Sequence, residues 1–149
     1  MIRILVTGSR HWDLQRDREL QAAGVLPPGE GLQHIMVTAL LQAWLDLGKP
    51  PRPVLVHGAC PQGGADWMAD GLWRLWGWPT EEHPADFDRL GRRAGPLRTA
   101  EMVDAGAALC LGFPLGESRG TRGCMELARR ARIPVRAYGP DVIWAARSA

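Results

Sequence analysis

The sequence predicts an α/β domain built as three layers, with a five-stranded, mainly parallel sheet between helices. Two observations predict it. Short apolar runs alternate with segments whose apolar residues recur at helical spacing, and this alternation gives parallel strands joined by right-handed crossovers. Three of the runs lead directly into glycine-bearing turns: Gly8-Ser9-Arg10, the stretch from His57 to Asp66, and the stretch from Phe113 to Thr121. In an open parallel sheet, ligands bind in the crevice beyond the carboxyl ends of the strands. Glycines there let backbone N–H groups approach an anion, and a following helix N-terminus adds positive potential.

The elements follow in order. The apolar run Ile2 to Thr7 predicts the first strand; a polar, charged segment follows, and residues 24–31, rich in Gly and Pro, predict a loop. From Leu32, apolar residues recur at Ile35, Met36, Ala39, Leu40, Ala43, Trp44 and Leu47, a helical stripe that stops at Gly48. The proline-rich segment Lys49 to Pro53 forbids helix and delivers a second strand, Val54 to His57. A helix from about Gly64 to Leu75 turns Ala65, Met68, Ala69, Leu72 and Trp76 inward and leaves Trp67 on the opposite side with Asp70 and Arg74. The third strand is short, near Thr80 to His83, and Asp86 to Gly95 is irregular. Pro96 suits the first turn of the next helix. Ala107 to Phe113 gives the fourth strand. Thr121 to Ala131 gives a helix with Cys124, Leu127, Ala128 and Ala131 inward, and Ile133 to Tyr138 gives the fifth strand. The tail 139–149 adds at most a short peripheral helix. A spatial order 3-2-1-4-5 sets the turns after strands one and four side by side at the switch point.

Length and composition fit one domain of 149 residues, 46% hydrophobic and 23% charged. No apolar stretch approaches the roughly 18–20 residues that span a bilayer, and the amino-terminal run lacks the features of a signal peptide. A cytoplasmic protein without a membrane partner is expected. The isolated Cys60, Cys110 and Cys124 predict neither a disulfide framework nor a zinc site. Among 18 basic residues Lys49 is the one lysine, and arginine suits bidentate phosphate recognition. A net charge of +2 does not by itself mark a nucleic-acid surface.

Neither common phosphate fingerprint is satisfied: Gly8-Ser9-Arg10 is not G-x-G-x-x-G, and Gly58 to Gly63 lacks the Lys-Ser/Thr pair of a P-loop. What remains is a looser cradle of glycines, hydroxyls and arginines. Ser118-Arg119-Gly120-Thr121 sets two hydroxyls, a guanidinium and a glycine at a helix start, an arrangement suited to an anion. Ser9 caps the following turn or donates to a ligand, and Asp66 is favoured by the dipole of the helix it opens. Arg98 and Glu101, three apart, are a candidate ion pair. In the crevice, Arg98 would bind phosphate while Glu101 meets a ribose hydroxyl or takes a proton. His83 with Asp86 reads as a catalytic pair or as a strand exit with Asp86 capping the next turn. His57 either faces the crevice or satisfies a backbone carbonyl.

Taken together, Val6 to Arg10, His57-Gly58-Ala59, Gly64-Ala65-Asp66, His83 to Asp86, Ala94 to Met102 and Ser118 to Thr121 resemble, in order, the YspA/YpsA-related branch of the SLOG superfamily. The resemblance runs from about residue 2 to residue 138. It implies a Rossmann-like fold that binds nucleotides or nucleotide-derived ligands. Within that superfamily the LOG-type phosphoribohydrolases cleave the base from nucleoside 5′-monophosphates, and the DNA-processing protein DprA shares the core. Arg98 to Met102 is similar to the Arg-Lys-x-x-Met-like helix of the LOG enzymes and places Arg98 at their functional arginine. Their P-G-G-x-G-T-x-x-E motif compares with Pro114 to Thr121, two residues longer here, and Cys124 stands in the slot of the glutamate. Glu126 falls on another helical face; Glu117 or Glu101 is left as a substitute.

The resulting expectation is a sensor or carrier of a nucleotide or nucleotide-derived small molecule, with no cofactor and no metal. Gly8, Ser9, Arg10, Gly58, Asp66, Ser118, Arg119, Gly120 and Thr121 would hold the ligand. Arg98 and Glu101 would be the catalytic residues of the alternative, a LOG-like phosphoribohydrolase. DprA-like binding of single-stranded DNA is a further alternative that the mild charge disfavours. A homodimer or higher homo-oligomer is expected, with Trp67 and Trp78 as contact residues.

Overall fold

The computed structural model describes residues 1–140. Its strands are β1 (Arg3–Gly8), β2 (Val54–His57), β3 (Thr80–Glu82), β4 (Leu109–Phe113) and β5 (Val135–Ala137). Its helices are α1 (Leu14–Ala22), α2 (Leu32–Asp46), α3 (Ala65–Leu75), the single turn α4 (Phe87–Leu90), α5 (Ala94–Asp104) and α6 (Arg119–Arg130). All five strands are parallel, in the order β3-β2-β1-β4-β5, so the fold is a Rossmann-like α/β sheet of the expected topology. Residues 141–149, where the expected terminal helix falls, lie outside the described residues.

The central strands read as unbroken apolar runs because both faces of the sheet are covered. On one face Ile4, Val6, Leu55, Leu109, Leu111 and Phe113 pack with α2 and α3 through Met36, Leu40, Ala69 and Trp73. On the other, Leu5, Val56 and Cys110 meet Met102 and Val103 of α5 and Cys124 and Ala128 of α6. The period-2 alternation of β1 and β4 thus divides the core into two layers.

Four local expectations are corrected. Helix α1 occupies the segment read only as polar. Asp13 caps it by accepting from the Arg16 N–H at 2.8 Å, while Asp17 turns inward and caps α2 through the Leu32 N–H at 2.8 Å. In α3 the buried large residue is Trp73, which donates to the Pro53 carbonyl at 3.0 Å; Trp76 is only partly buried. Asp70 is buried, not beside Trp67 in solvent. Helix α6 begins two residues early, at Arg119, and buries Met125, for which Gly112 leaves room, whereas Ala131 is exposed.

Across the amino ends of the strands, Arg3 donates to both carboxylate oxygens of Glu81 at 2.6 Å and to the Gly106 carbonyl at 3.0 Å. These bonds hold the Glu81 carboxyl at about 2, well below its usual range, and His83 adds a third at 2.6 Å. A depressed carboxylate contributes stability that is present above its unfolded value and is lost as pH falls through the folded one. The stability of wild type is therefore expected to fall between about pH 4.5 and pH 2 more steeply than that of Glu81→Gln. Parallel acid limbs in thermal melts of the two proteins would remove Glu81 from this role.

Candidate functional site

The carboxyl ends of β1 and β4, paired through Gly8 and Phe113, lie at the switch point below a crevice of about 870 Å³. Its floor comes from β1, where Gly8 lies so close to Ala65 and Phe113 that an added Cβ would stand 2.4 Å from the Ala65 Cβ. Ser9 is fixed by its backbone: its N–H donates to the Phe113 carbonyl at 2.9 Å, and its carbonyl accepts from Ala65 at 3.0 Å. Its hydroxyl accepts from the His11 N–H at 3.0 Å, so Ser9 closes a local turn, and Asp13 is the cap of α1.

One wall is the loop between β2 and α3, and side chains hold it. His57 is wholly buried; its Nδ1 accepts from the Ala59 N–H at 3.0 Å, which leaves the proton on Nε2 for Asp70 Oδ1 at 2.9 Å. Burial pushes the Asp70 carboxyl up, but hydrogen bonds from His57 and Arg74 outweigh it and hold the group low. His57 thus faces neither the crevice nor a carbonyl. Further along, the Cys60 N–H donates to Asp66 Oδ2 at 3.3 Å, and the Trp67 indole donates to the Cys60 carbonyl at 2.7 Å. His57, Asp70 and Glu82 lie close enough to suggest a metal site, yet Arg74 reaches Asp70 at 2.9 Å and Glu82 at 3.4 Å and is the cation there.

The opposite wall is the turn into α6. Ser118 sits in left-handed backbone (φ 45°), and its hydroxyl accepts from the Leu115 N–H at 3.1 Å instead of capping the helix. Among the described residues no protein acceptor takes the N–H groups of Arg119, Gly120 and Thr121; the first bonded amide is Arg122, to the Ser118 carbonyl at 3.0 Å. All three open residues line the crevice. Helix α5 contributes Arg98, whose Nη1 donates to the Gly58 carbonyl and whose Nε is buried without a partner. Gly58 is required by that contact, because a Cβ there would stand 2.5 Å from Arg98 Nη1.

Gly8, Ser9, Arg10, Gly58, Asp66, Arg98, Ser118, Arg119, Gly120 and Thr121 therefore meet at one crevice. Glu101 does not. It is exposed on α5 and makes no ion pair with Arg98, because Arg98 turns inward onto the β2 loop while the residue three further on turns to solvent. The substitutes Glu117 and Glu126 are exposed at the rim, Glu117 near Arg119 at 3.7 Å and Glu126 near Arg130 at 3.3 Å. The buried carboxyl of the crevice is Asp66, 7% exposed. Burial pushes it up, against the pull of His57, the Cys60 and Gly58 N–H groups and Arg98. His83 pairs with Glu81 and Asp86 caps α4 through the Arg89 N–H at 3.1 Å, so the two are not a catalytic pair. Trp78 packs into a cluster with Trp44, Trp73 and Trp76, whereas Trp67 stays 39% exposed. Cys124, which the resemblance sets in the slot of the glutamate, lines the crevice; sequence reasoning missed Thr7 and Cys60 there, although both flank turn glycines.

Among known proteins, the chain is 39% identical to the "Gene 61 protein" of Mycobacterium phage D29 over 93% of its own length and 98% of that protein's. No family model matches the chain. No solved structure matches it.

Gly58→Ala tests the latch between the two walls. The variant is expected to fold, losing no more than about 1–2 kcal/mol because the displaced atoms end a flexible side chain. The Arg98 Nε–H resonance in a proton–nitrogen spectrum should move; an unmoved signal would show that Arg98 does not rest on Gly58.

Proposed function

The chain belongs to the same family as the gene 61 protein of Mycobacterium phage D29, a kinship that carries no chemistry of its own, and we propose from the crevice that it binds a nucleotide or nucleotide-derived ligand through its phosphate. The observation that carries this reading is the open start of α6, three amide donors without a protein acceptor at the edge of a volume of about 870 Å³. Orphan donors at a helix start attract an anion both by hydrogen bonding and by the helix dipole. Thr121 and Arg98 add side-chain donors, and Arg10 and Arg119 stand at the rim. The volume exceeds what phosphate alone needs and is in the range of small-molecule sites.

The SLOG resemblance supports the same reading, since Arg98 and the turn glycines Gly8, Gly58 and Gly120 on which it rests line the crevice. A sensor or carrier role needs only this cradle. Phosphoribohydrolase activity is the second reading, favoured by Asp66, a buried carboxyl of the crevice with the sign of charge that stabilises an oxocarbenium-like transition state. DprA-like binding of single-stranded DNA has weaker support, because the aromatic Trp67 lies outside the crevice lining and no basic stripe with stacking rings is formed there. A cytoplasmic homo-oligomer belongs to this proposal, with the exposed Trp67 and Leu75 of α3 as an apolar contact surface; no described helix is long and apolar enough to cross a membrane.

A proton NMR titration with a panel of nucleoside 5′-monophosphates tests the proposal. The Gly120 and Thr121 amide resonances should move, and Arg98→Ala should weaken binding about tenfold or more, the effect of removing a charged hydrogen bond. Free base appearing over time would establish hydrolysis. Unmoved amides with unchanged affinity in Arg98→Ala would sink the site.

A further inference from the structure

We infer that Asp66 selects the sugar of the bound ligand, accepting hydrogen bonds from ribose hydroxyls and so favouring ribonucleotides over deoxyribonucleotides. The inference rests on the phosphate-binding reading above and adds to it the ligand class. Arg119 belongs to the open start of α6, Arg98 reaches from α5 to the Gly58 carbonyl, and Asp66 lies on the wall opposite α6, at the first turn of α3. The rim carboxylates Glu117 and Glu126 already have arginine partners and stand in solvent. Asp66 is buried, and among the described residues no side-chain cation forms an ion pair with it.

The Cys60 N–H, donating to Oδ2 at 3.3 Å, holds the carboxylate in place. A carboxylate accepts about four hydrogen bonds, so acceptor capacity remains for a ligand. The chemistry of that ligand group follows from burial and charge. A phosphate at Asp66 would be repelled, an apolar group would leave the carboxylate desolvated without compensation, and a hydroxyl supplies the missing donor. With phosphate drawn to α6, the group delivered to the other wall is the sugar edge. A site built around a buried acceptor rejects the analogue lacking the donor, because its own polar group is then left unpaired.

The test measures affinities of the four ribonucleoside 5′-monophosphates and their 2′-deoxy and 3′-deoxy counterparts by calorimetry, with inorganic phosphate as a separate probe. At least one deoxy series should bind about tenfold more weakly than the ribo series, the loss of one hydrogen bond to a charged group. In Asp66→Asn the gap should shrink to about threefold or less while inorganic phosphate binds no more weakly than to wild type, since a repelling charge is removed. Should that variant not fold, Asp66→Glu, which displaces the carboxylate by one methylene, is read in the same way. Equal affinities across the wild-type series would overturn the inference and leave the phosphate cradle standing. A gap that persists unchanged in the variant would assign selection elsewhere and overturn it too. Failure of every phosphorylated probe to bind wild type would overturn the phosphate-binding reading itself.

Discussion

The site depends on one crowded junction, where three chain crossings meet at Gly8 and Ser9. The Ser9 amide is bonded to the end of β4 and its carbonyl to the start of α3, so a single residue ties the two strands of the switch point to the helix that follows β2. Gly8 leaves no room for a side chain between Ala65 and Phe113, and Gly64 adopts φ 89° against the backbone of Ser9 and Arg10. These contacts set the depth of the crevice floor before any ligand group is considered. A bulkier residue at Gly8 would push α3 from the sheet, and with it Asp66 and the whole β2–α3 wall. The turn glycines are thus spent on backbone packing, and the open amide donors stand at the helix start across the crevice.

The two walls are rigid for different physical reasons. On the β2 side, hydrogen bonds linking His57 to Asp70 and Ala59, and Cys60 to Asp66 and Trp67, replace regular structure, each within 3.3 Å, and fix the loop that carries Gly58. A buried network that is fully paired specifies one arrangement, because every alternative leaves a group unsatisfied. On the α6 side the opposite holds: Ser118 takes a left-handed conformation and spends its hydroxyl inside the turn, leaving the helix uncapped. An uncapped start in a concave place is a local cost that a ligand can relieve. Arg98 spans the gap, anchored on one wall through Gly58 and keeping its Nε unpartnered.

The fold was legible because β1, β2 and β4 are buried on both faces and therefore read as apolar runs, each with glycine at its exit. Helix α1 was not legible by periodicity, since it turns little but Asp17 inward, although Asp13 with Arg16 was a readable cap. Asp70 went astray for a related reason: an acidic residue on a helix reads as solvent-facing, and its buried partner His57 lies on another element. Most of the crevice residues were legible as turn residues after strands. Glu101 was not separable from Arg98 by spacing, because a three-residue step leaves open which of two neighbouring directions faces the sheet. Only the latch onto Gly58 decides that Arg98 is the inward one.

The position of Cys124 makes physical sense once Asp66 is placed. Cys124 lies in the core layer beneath the crevice beside Cys110, close enough to Asp66 and Arg98 for both charges to act on its thiol. A glutamate there, the residue that the LOG-like pattern has, would set a second carboxylate against a buried one, and like charges in a poorly solvated space cannot both stay ionised. A thiol fills the same volume as a small hydrophobe and adds no such conflict. The buried negative charge of this crevice is therefore carried from α3, while the α6 carboxylate Glu126 stays exposed at the rim. The open helix start of α6 keeps its positive potential undiluted by a carboxylate one turn below. The thiol at position 124 and the burial of Asp66 thus belong to one arrangement: open amide donors on one wall, with a buried carboxyl facing them from the other.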